Sequence, residues 1–312
     1  MGIIYTISFF ISVALLLLFQ KYFIKKNKFD EVSNRSAHTV LATRSGGSGI
    51  FFTLLIITSY FYISSNQIFD FSLFIPLGIL FTIGLYDDIY KVDFKLKFIF
   101  QIIAAKILID QGLYIESFNG LFGIYEIPYL ISQAFTIFII VFIVNAANFS
   151  DGIDGLAISE VIKCLLIVLV FGYNQSLSGY GFVFAITLAS LVPVYFYNFK
   201  NNYKVFLGDS GSLFLGGVVC VAIICLNNII GDPTISKIST PWIFIMCYLY
   251  PIVDTTYVVC RRIINKKSPF VADKSHIHHL LIKRGFSHIQ CLLILSGTSG
   301  ILQLLLLGYA TS

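Results

Sequence analysis

Charge is what this sequence has least of. Only 12% of its 312 residues are Asp, Glu, Lys or Arg, against about 25% in an ordinary soluble domain. Hydrophobic residues make up 57%, and mean hydropathy is +0.86. That balance excludes a set of soluble domains and points to one integral membrane domain over residues 1–312. Period-two alternation of apolar and polar residues is also missing. The apolar runs are continuous and near the roughly 20 residues of a spanning helix, which argues for an all-α bundle over a β-barrel. There is no Cys-x-x-Cys pair and no disulfide framework; the six cysteines fall inside or at the ends of apolar segments, as packing residues do. No basic residue precedes the first apolar run, 3-IIYTISFFISVALLLLFQ-20, and no small-residue cleavage site follows it. The basic flank 21-KYFIKKNKF-29 follows instead, so a first membrane helix is expected there rather than a cleaved signal peptide. No internal repeat is visible.

Ten spans are expected, at 3–22, 48–64, 69–86, 96–112, 129–147, 154–171, 180–197, 211–229, 241–259 and 290–309. The segment 96–112 is the least apolar, with Lys97, Lys106 and Asp110. Basic residues are nearly absent from the loops 65–68, 113–128, 172–179 and 230–240, which hold only Lys237. The alternate loops hold the rest, which places those loops in the cytoplasm and both termini outside. The net charge of +5 therefore marks a side of the membrane, and no nucleic-acid partner is expected.

Every unusual polar cluster falls on that cytoplasmic side. In 86-YDDIYKVD-93, Asp87 and Asp88 repel each other unless a cation or base offsets them. In 145-NAANFSDGIDG-155 the Asp-Gly pairs read as turns, which accounts for the glycines but not for the two asparagines. Continued as a helix, the stretch would put Asn148, Asp151 and Asp154 on one face, a row of oxygen ligands. Asp209, in 207-LGDSGS-212, reads either as a helix N-cap or as a metal ligand beside a glycine-rich, phosphate-facing helix start. His276, His278 and His279 lie in 273-DKSHIHHLLIKRG-285 among Lys and Arg residues that include Arg284. Zinc is one reading of those histidines; without acidic or cysteine partners in suitable spacing, an anion site is the better one. Finally, 35-RSAHTVLATRSGGSG-49 supplies Arg35, His38 and Arg44 ahead of Gly46, Gly47 and Gly49. Five polar clusters on one face suit a one-sided active site. A transporter more often places its polar groups near the midplane, on broken helices.

In this order, RSxH…RxGG, DD, NxxNxxDGxDGLA, FLGDSGSL and RRxxxxxSPFxxDxxHIHH, the motifs resemble the polyprenyl-phosphate N-acetylhexosamine-1-phosphate transferases, from Arg35 to Gly285. That superfamily includes the phospho-N-acetylmuramoyl-pentapeptide transferases of peptidoglycan synthesis. The resemblance implies a Mg2+-dependent enzyme of the bacterial cytoplasmic membrane. Such an enzyme moves a sugar 1-phosphate from a UDP-N-acetylhexosamine, GlcNAc by default, to undecaprenyl phosphate and releases UMP. It implies metal contacts at Asn148 and Asp209. It implies catalytic roles for Asp87 (as base toward the lipid phosphate), Asp88, Asp151, Asp154, His278 and His279. Arg35, His38, Arg44, His276 and Arg284 would bind substrate. A homodimer is compatible with it. One departure is that 38-HTVLATR-44 lacks the prolines usual in that loop. The HIHH-LLIKRG stretch is closer to the N-acetylhexosamine branch than to the muramoyl-pentapeptide branch. A transporter or lipid flippase, suggested by the span count, and a zinc hydrolase, suggested by HxHH, stand as alternatives.

Overall fold

The computed structural model describes residues 2–29, 42–64, 70–172, 177–230, 239–268 and 275–311. It is an all-α polytopic membrane protein. The helices are α1 (Gly2–Lys25), α2 (Gly46–Ile63), α3 (Phe74–Tyr90), α4 (Phe94–Asp110), α5 (Tyr129–Ser150), α6 (Leu156–Gly172), α7 (Ser178–Asn198), α8 (Gly208–Ile230), α9 (Thr240–Ile264), the short α10 (Ile277–Lys283) and α11 (His288–Thr311). Each of the ten expected spans coincides with one of the long helices. Eight helices are long and apolar enough to cross a membrane. The other two, α4 and α6, have 17 residues each, about one turn short of the roughly 20 that span hydrocarbon without thinning it.

The bundle is built around α8. Some 89% of its apolar stretch is buried within the protein, against 17% for α1 and 33% for α11. A helix apolar on all sides belongs in an interior, and small residues let neighbours approach it closely. A Cβ on Gly216 would stand 2.8 Å from the Val144 Cα of α5, and one on Gly217 would stand 2.6 Å from Leu80 of α3. Phe51 of α2 stacks on Phe81 of α3 with centroids 4.0 Å apart and meets Phe214 of α8 edge-on at 5.3 Å. Five of the six cysteines are buried and all are free, in keeping with packing roles.

Two irregularities shape the end of the bundle that carries the polar clusters. A two-residue parallel ladder pairs β1 (Ala42–Thr43) with β2 (Lys204–Val205). The helix α9 is kinked: Tyr248 has φ −140° and ψ 46°, and Pro251 removes the N–H that would have bonded one turn back. The two basic residues deep inside spans both have partners. Lys106 pairs with Asp110 on an exposed face. Lys163 pairs with Glu160 at 2.9 Å and bonds Ser299 at 2.6 Å, tying α6 to α11.

Candidate active site

The site is organised by the first turn of α8. The first turn of α2, just after β1, lies along the segment after β2: Gly46 N–H donates to the Phe206 carbonyl at 3.0 Å and Gly47 N–H to the Leu207 carbonyl at 2.9 Å. Glycine is required here because a Cβ on Gly47 would stand 2.5 Å from the Gly211 Cα. From the other side Gly84 of α3 presses on the same turn, where a Cβ would be 2.6 Å from the Ser210 Cα. Gly208 has φ +75°, which favours glycine, and it also lies against the Asp88 carboxylate.

Asp88 is what closes this helix start. Its two oxygens accept the Asp209 and Ser210 N–H groups, each at 2.9 Å, and Arg44 stands 3.5 Å away. Its side chain is 0% exposed. The N-cap reading offered for Asp209 therefore belongs to Asp88, reaching in from α3. Capping by a carboxylate typically contributes about 0.5–2 kcal/mol, and the helix dipole adds to it. With its cap supplied from outside, Asp209 is left to turn its own carboxylate elsewhere.

It turns to Lys97. The Lys97 ammonium lies 2.5 Å from Asp209 Oδ2 and 2.7 Å from Asp87 Oδ2. Asp87 Oδ1 also accepts the Val92 N–H at 2.6 Å. The acid pair is thus resolved by two different cations, Lys97 for Asp87 and Arg44 for Asp88. One turn along α4, Gln101 accepts from Asn145 Nδ2 at 2.7 Å. Asn148 Nδ2 donates to Ser212 Oγ at 2.9 Å, which leaves the Asn148 carbonyl oxygen as an acceptor beside the head of α8.

The single helical face expected for Asn148, Asp151 and Asp154 is not formed. α5 stops at Ser150, and residues 151–155 make turns. Gly155 takes φ +75°, and its N–H is held at 2.6 Å by Asn198, which also donates to the Val205 carbonyl. The turn sends the two acids in different directions. Burial, then the nearby charges of Asp209 and Asp88, pushes the Asp151 carboxyl well above the usual range. Asp154 instead meets Lys204 at 2.7 Å and His288 at 3.2 Å. Burial acts to raise its carboxyl, but hydrogen bonds from His288 and Lys204 outweigh that and hold it below the usual range.

The histidines lie across from this loop. His276 Nδ1 is 2.7 Å from Asp254 Oδ2, and His278 Nδ1 is 3.2 Å from the Tyr250 hydroxyl. The His278 ring packs on Gly152. Burial, then the neighbouring rings of His279, His276 and His288, pushes its pKa well below the usual imidazole range, so it is neutral at physiological pH. The His278 and His279 rings are 4.3 Å apart. Arg284, at the C-terminal end of α10, is exposed and makes no side-chain bond among the described residues. Arg35 and His38 lie outside the described residues.

The structure thus brings Arg44, Asp87, Asp88, Asn148, Asp151 and Asp209 around one helix start, with Asp154 and the histidines alongside. Sequence reasoning missed Lys97, Gln101, Asn145, Asn198, Lys204, Tyr250 and Asp254 as members. A signal existed for two groups of them. Lys97 and Gln101 sit four apart, on one face of the least apolar expected span, and Asp254 is a carboxylate well inside the apolar run 240-TPWIFIMCYLYPIVDTTYVV-259.

These features define a class, a polytopic membrane enzyme with its charged groups gathered at one end of the bundle. The family follows from comparison. The sequence matches glycosyl transferase family 4 over residues 70–227, about half of the chain. The chain belongs to that family. It is 31% identical over 289 residues to a Bacillus subtilis protein named "Probable undecaprenyl-phosphate N-acetylglucosaminyl 1-phosphate transferase", covering 90% of this chain and 78% of the relative. Proteins named undecaprenyl-phosphate alpha-N-acetylglucosaminyl 1-phosphate transferase are 29% identical in Yersinia pestis and 30% identical in Escherichia coli K12, over 89% and 90% of this chain and 76% of each relative.

Proposed function

We propose that this chain transfers an N-acetylhexosamine 1-phosphate, GlcNAc 1-phosphate by default, from a UDP-sugar to undecaprenyl phosphate at the cytoplasmic face of a bacterial inner membrane. An oxygen of the lipid phosphate attacks the β-phosphorus of the UDP-sugar. The bond from that phosphorus to the bridging oxygen breaks, and UMP leaves. The observation that carries the reading is the Lys97 ammonium shared by Asp87 and Asp209 at the glycine-framed head of α8. Two anionic substrates must meet there, and phosphoryl transfer is mainly charge neutralisation and positioning.

Asp209 and the side-chain carbonyl of Asn148 offer hard oxygen donors, the kind suited to Mg2+, which takes one or two carboxylates and completes its shell with water and substrate phosphates. Bound there, Mg2+ would supply charge neutralisation for the diphosphate. Among the described residues, no three His, Cys, Asp or Glu side chains group as a ready metal cage. Lys97 offsets the repulsion between Asp87 and Asp209 and holds them adjacent, and Asp87 is the base facing the lipid phosphate. Asp88 works through α8, holding the turn that presents Asp209. Asp151 and the neutral His278 line the nucleotide-sugar side. Loop Lys and Arg residues lie nearly all on one side, which supports ten crossings with both termini outside and this end of the bundle in the cytoplasm.

The test is transfer by purified protein in lipid nanodiscs. Radiolabelled UDP-GlcNAc, undecaprenyl phosphate and Mg2+ should yield a labelled lipid and an equal amount of UMP, and EDTA should stop both. Other UDP-N-acetylhexosamines and UDP-N-acetylmuramoyl-pentapeptide in the same panel settle the donor. No labelled lipid from any of them would overturn the reading.

A further inference from the structure

The buried carboxylate Asp254 has no place in the chemistry described so far. It sits on α9 three residues beyond Pro251, after the kink, and is 0% exposed. Both of its oxygens are used. Oδ2 is 2.7 Å from His276 Nδ1, and Oδ1 accepts the Ile277 N–H at 2.7 Å. No lysine or arginine pairs with it among the described residues. Burying an ionisable group costs several kcal/mol of desolvation unless its partners offset it. Capping the first turn of α10 would need only a neutral acceptor such as Asn, so the ionisable group calls for a further reason.

We infer that Asp254 is a positioning residue that fixes the tautomer and the orientation of His276. A carboxylate can only accept, so Nδ1 carries the proton toward Asp254 and Nε2 is left as the ring's remaining functional atom. The ring is also clamped in place. Phe149 lies 5.3 Å from it, and His278 stacks on it at 5.4 Å with 18° between the planes. The Ile277 bond makes the arrangement rigid, because the same carboxylate that orients the imidazole also fixes the backbone that carries it. The kink at Tyr248 and Pro251 serves the same end, since it is the half of α9 beyond the bend that carries both Tyr250 and Asp254 to the histidines. A partner that orients a working imidazole is typically worth about 10–100-fold when removed.

The inference rests on the transfer reading for its kinetic half, so one measurement is independent of activity. In protein labelled with 15N-histidine, the His276 ring, assigned through His276→Gln, should show the Nδ1-protonated pattern in wild type and lose it in Asp254→Asn. An Nε2-protonated His276 in wild type would overturn the inference, whether or not the protein transfers sugar. In the kinetic half, Asp254→Asn retains an acceptor for the Ile277 N–H but breaks the dyad. It should lower kcat by about 10–100-fold and leave KM for the UDP-sugar within about threefold. The double variant Asp254→Asn/His276→Gln should be no slower than His276→Gln alone. A double variant slowed by the product of the single effects would show that Asp254 acts apart from His276, and would sink the inference. Wild-type inactivity with every UDP donor would instead count against the transfer reading, leaving the tautomer measurement to decide on Asp254.

Discussion

The head of α8 and the histidine side of the site hold their working groups by opposite means. At α8 the groups are charged and held by charge: Lys97 between Asp87 and Asp209, Arg44 beside Asp88, and two backbone amides on Asp88. The backbone there is packed glycine against helix, so the carboxylates have little freedom to move. On the histidine side the partners Tyr250 and Asp254 hang from a kinked helix, and each ring is held by one side-chain bond, Asp254 to His276 and Tyr250 to His278, with the His278 ring neutral. The difference teaches where each region is vulnerable. Changing a charge at α8 removes compensation that nothing else supplies, whereas changing a partner on the histidine side mainly loosens an orientation.

The largest effect should come from the charged side. Asp209→Asn should lower turnover by at least about 10³-fold, the scale lost when transition-state charge stabilisation is removed, with the helical circular-dichroism signal unchanged. Substantial remaining activity would take Asp209 out of the working set. Lys97→Met should follow, with turnover down by about 10²-fold or more. Stability should fall by about 2–4 kcal/mol, because two partly buried carboxylates lose their shared partner. A thermal midpoint equal to wild type would mean that the ion pairs at α8 do not hold the region together. Gly84→Val tests the packing half of the contrast. Its side chain would collide with the Asp209 and Ser210 backbone, and overpacking of this kind costs about 1–3 kcal/mol. Detergent-melt curves would read it, and an unshifted curve would show that α3 and α8 have room to spare.

Asp154 joins the two regions through Lys204 and His288, and its effect should depend on pH. Its folded carboxyl lies below the unfolded value of about 3.9. The stabilisation is therefore present above that value and lost as pH falls through the lower folded value. Denaturation midpoints compared at pH 6 and pH 3 should show a larger loss in wild type than in Asp154→Asn. An equal slope in the variant would remove Asp154 from the linkage. The smallest effect is expected on the histidine side. Tyr250→Phe gives up one hydrogen bond, worth about 0.5–1.5 kcal/mol, and a loss above that range would mean that the two sides are held with similar strength.

Most of the helices were legible in the sequence, because continuous apolar runs near the thickness of a bilayer have one stable solution. All ten expected runs lie on helices, including the least apolar one, where Lys97 looked like a flaw in the span and is in fact part of the site. The acidic clusters were legible too, since carboxylates and glycines at the edges of apolar runs stand out by type. What was not legible was partnership. Asp87 and Asp88 are adjacent in sequence, yet one answers Lys97 and the other the amides of α8. Asp151 and Asp154 are three apart, yet a turn held by Asn198 gives one a carboxylate neighbourhood and the other a lysine. Arg284 looked equal to its basic neighbours and stands exposed at the end of α10.

The sequence by itself determined that this chain is a multi-helix membrane protein of the sugar-phosphate transferase type. Composition and the order of short motifs survive being read one residue at a time. Only the tertiary structure decided which oxygen faces which cation, that Asp88 caps a helix start by bonding residues 121 and 122 positions away along the chain, and that Asp254 belongs with His276. Those pairings depend on helix contacts made by glycines and on a proline kink. Their consequences appear only when distant segments are packed within a few ångströms, where charge and desolvation act over distances the linear sequence does not encode.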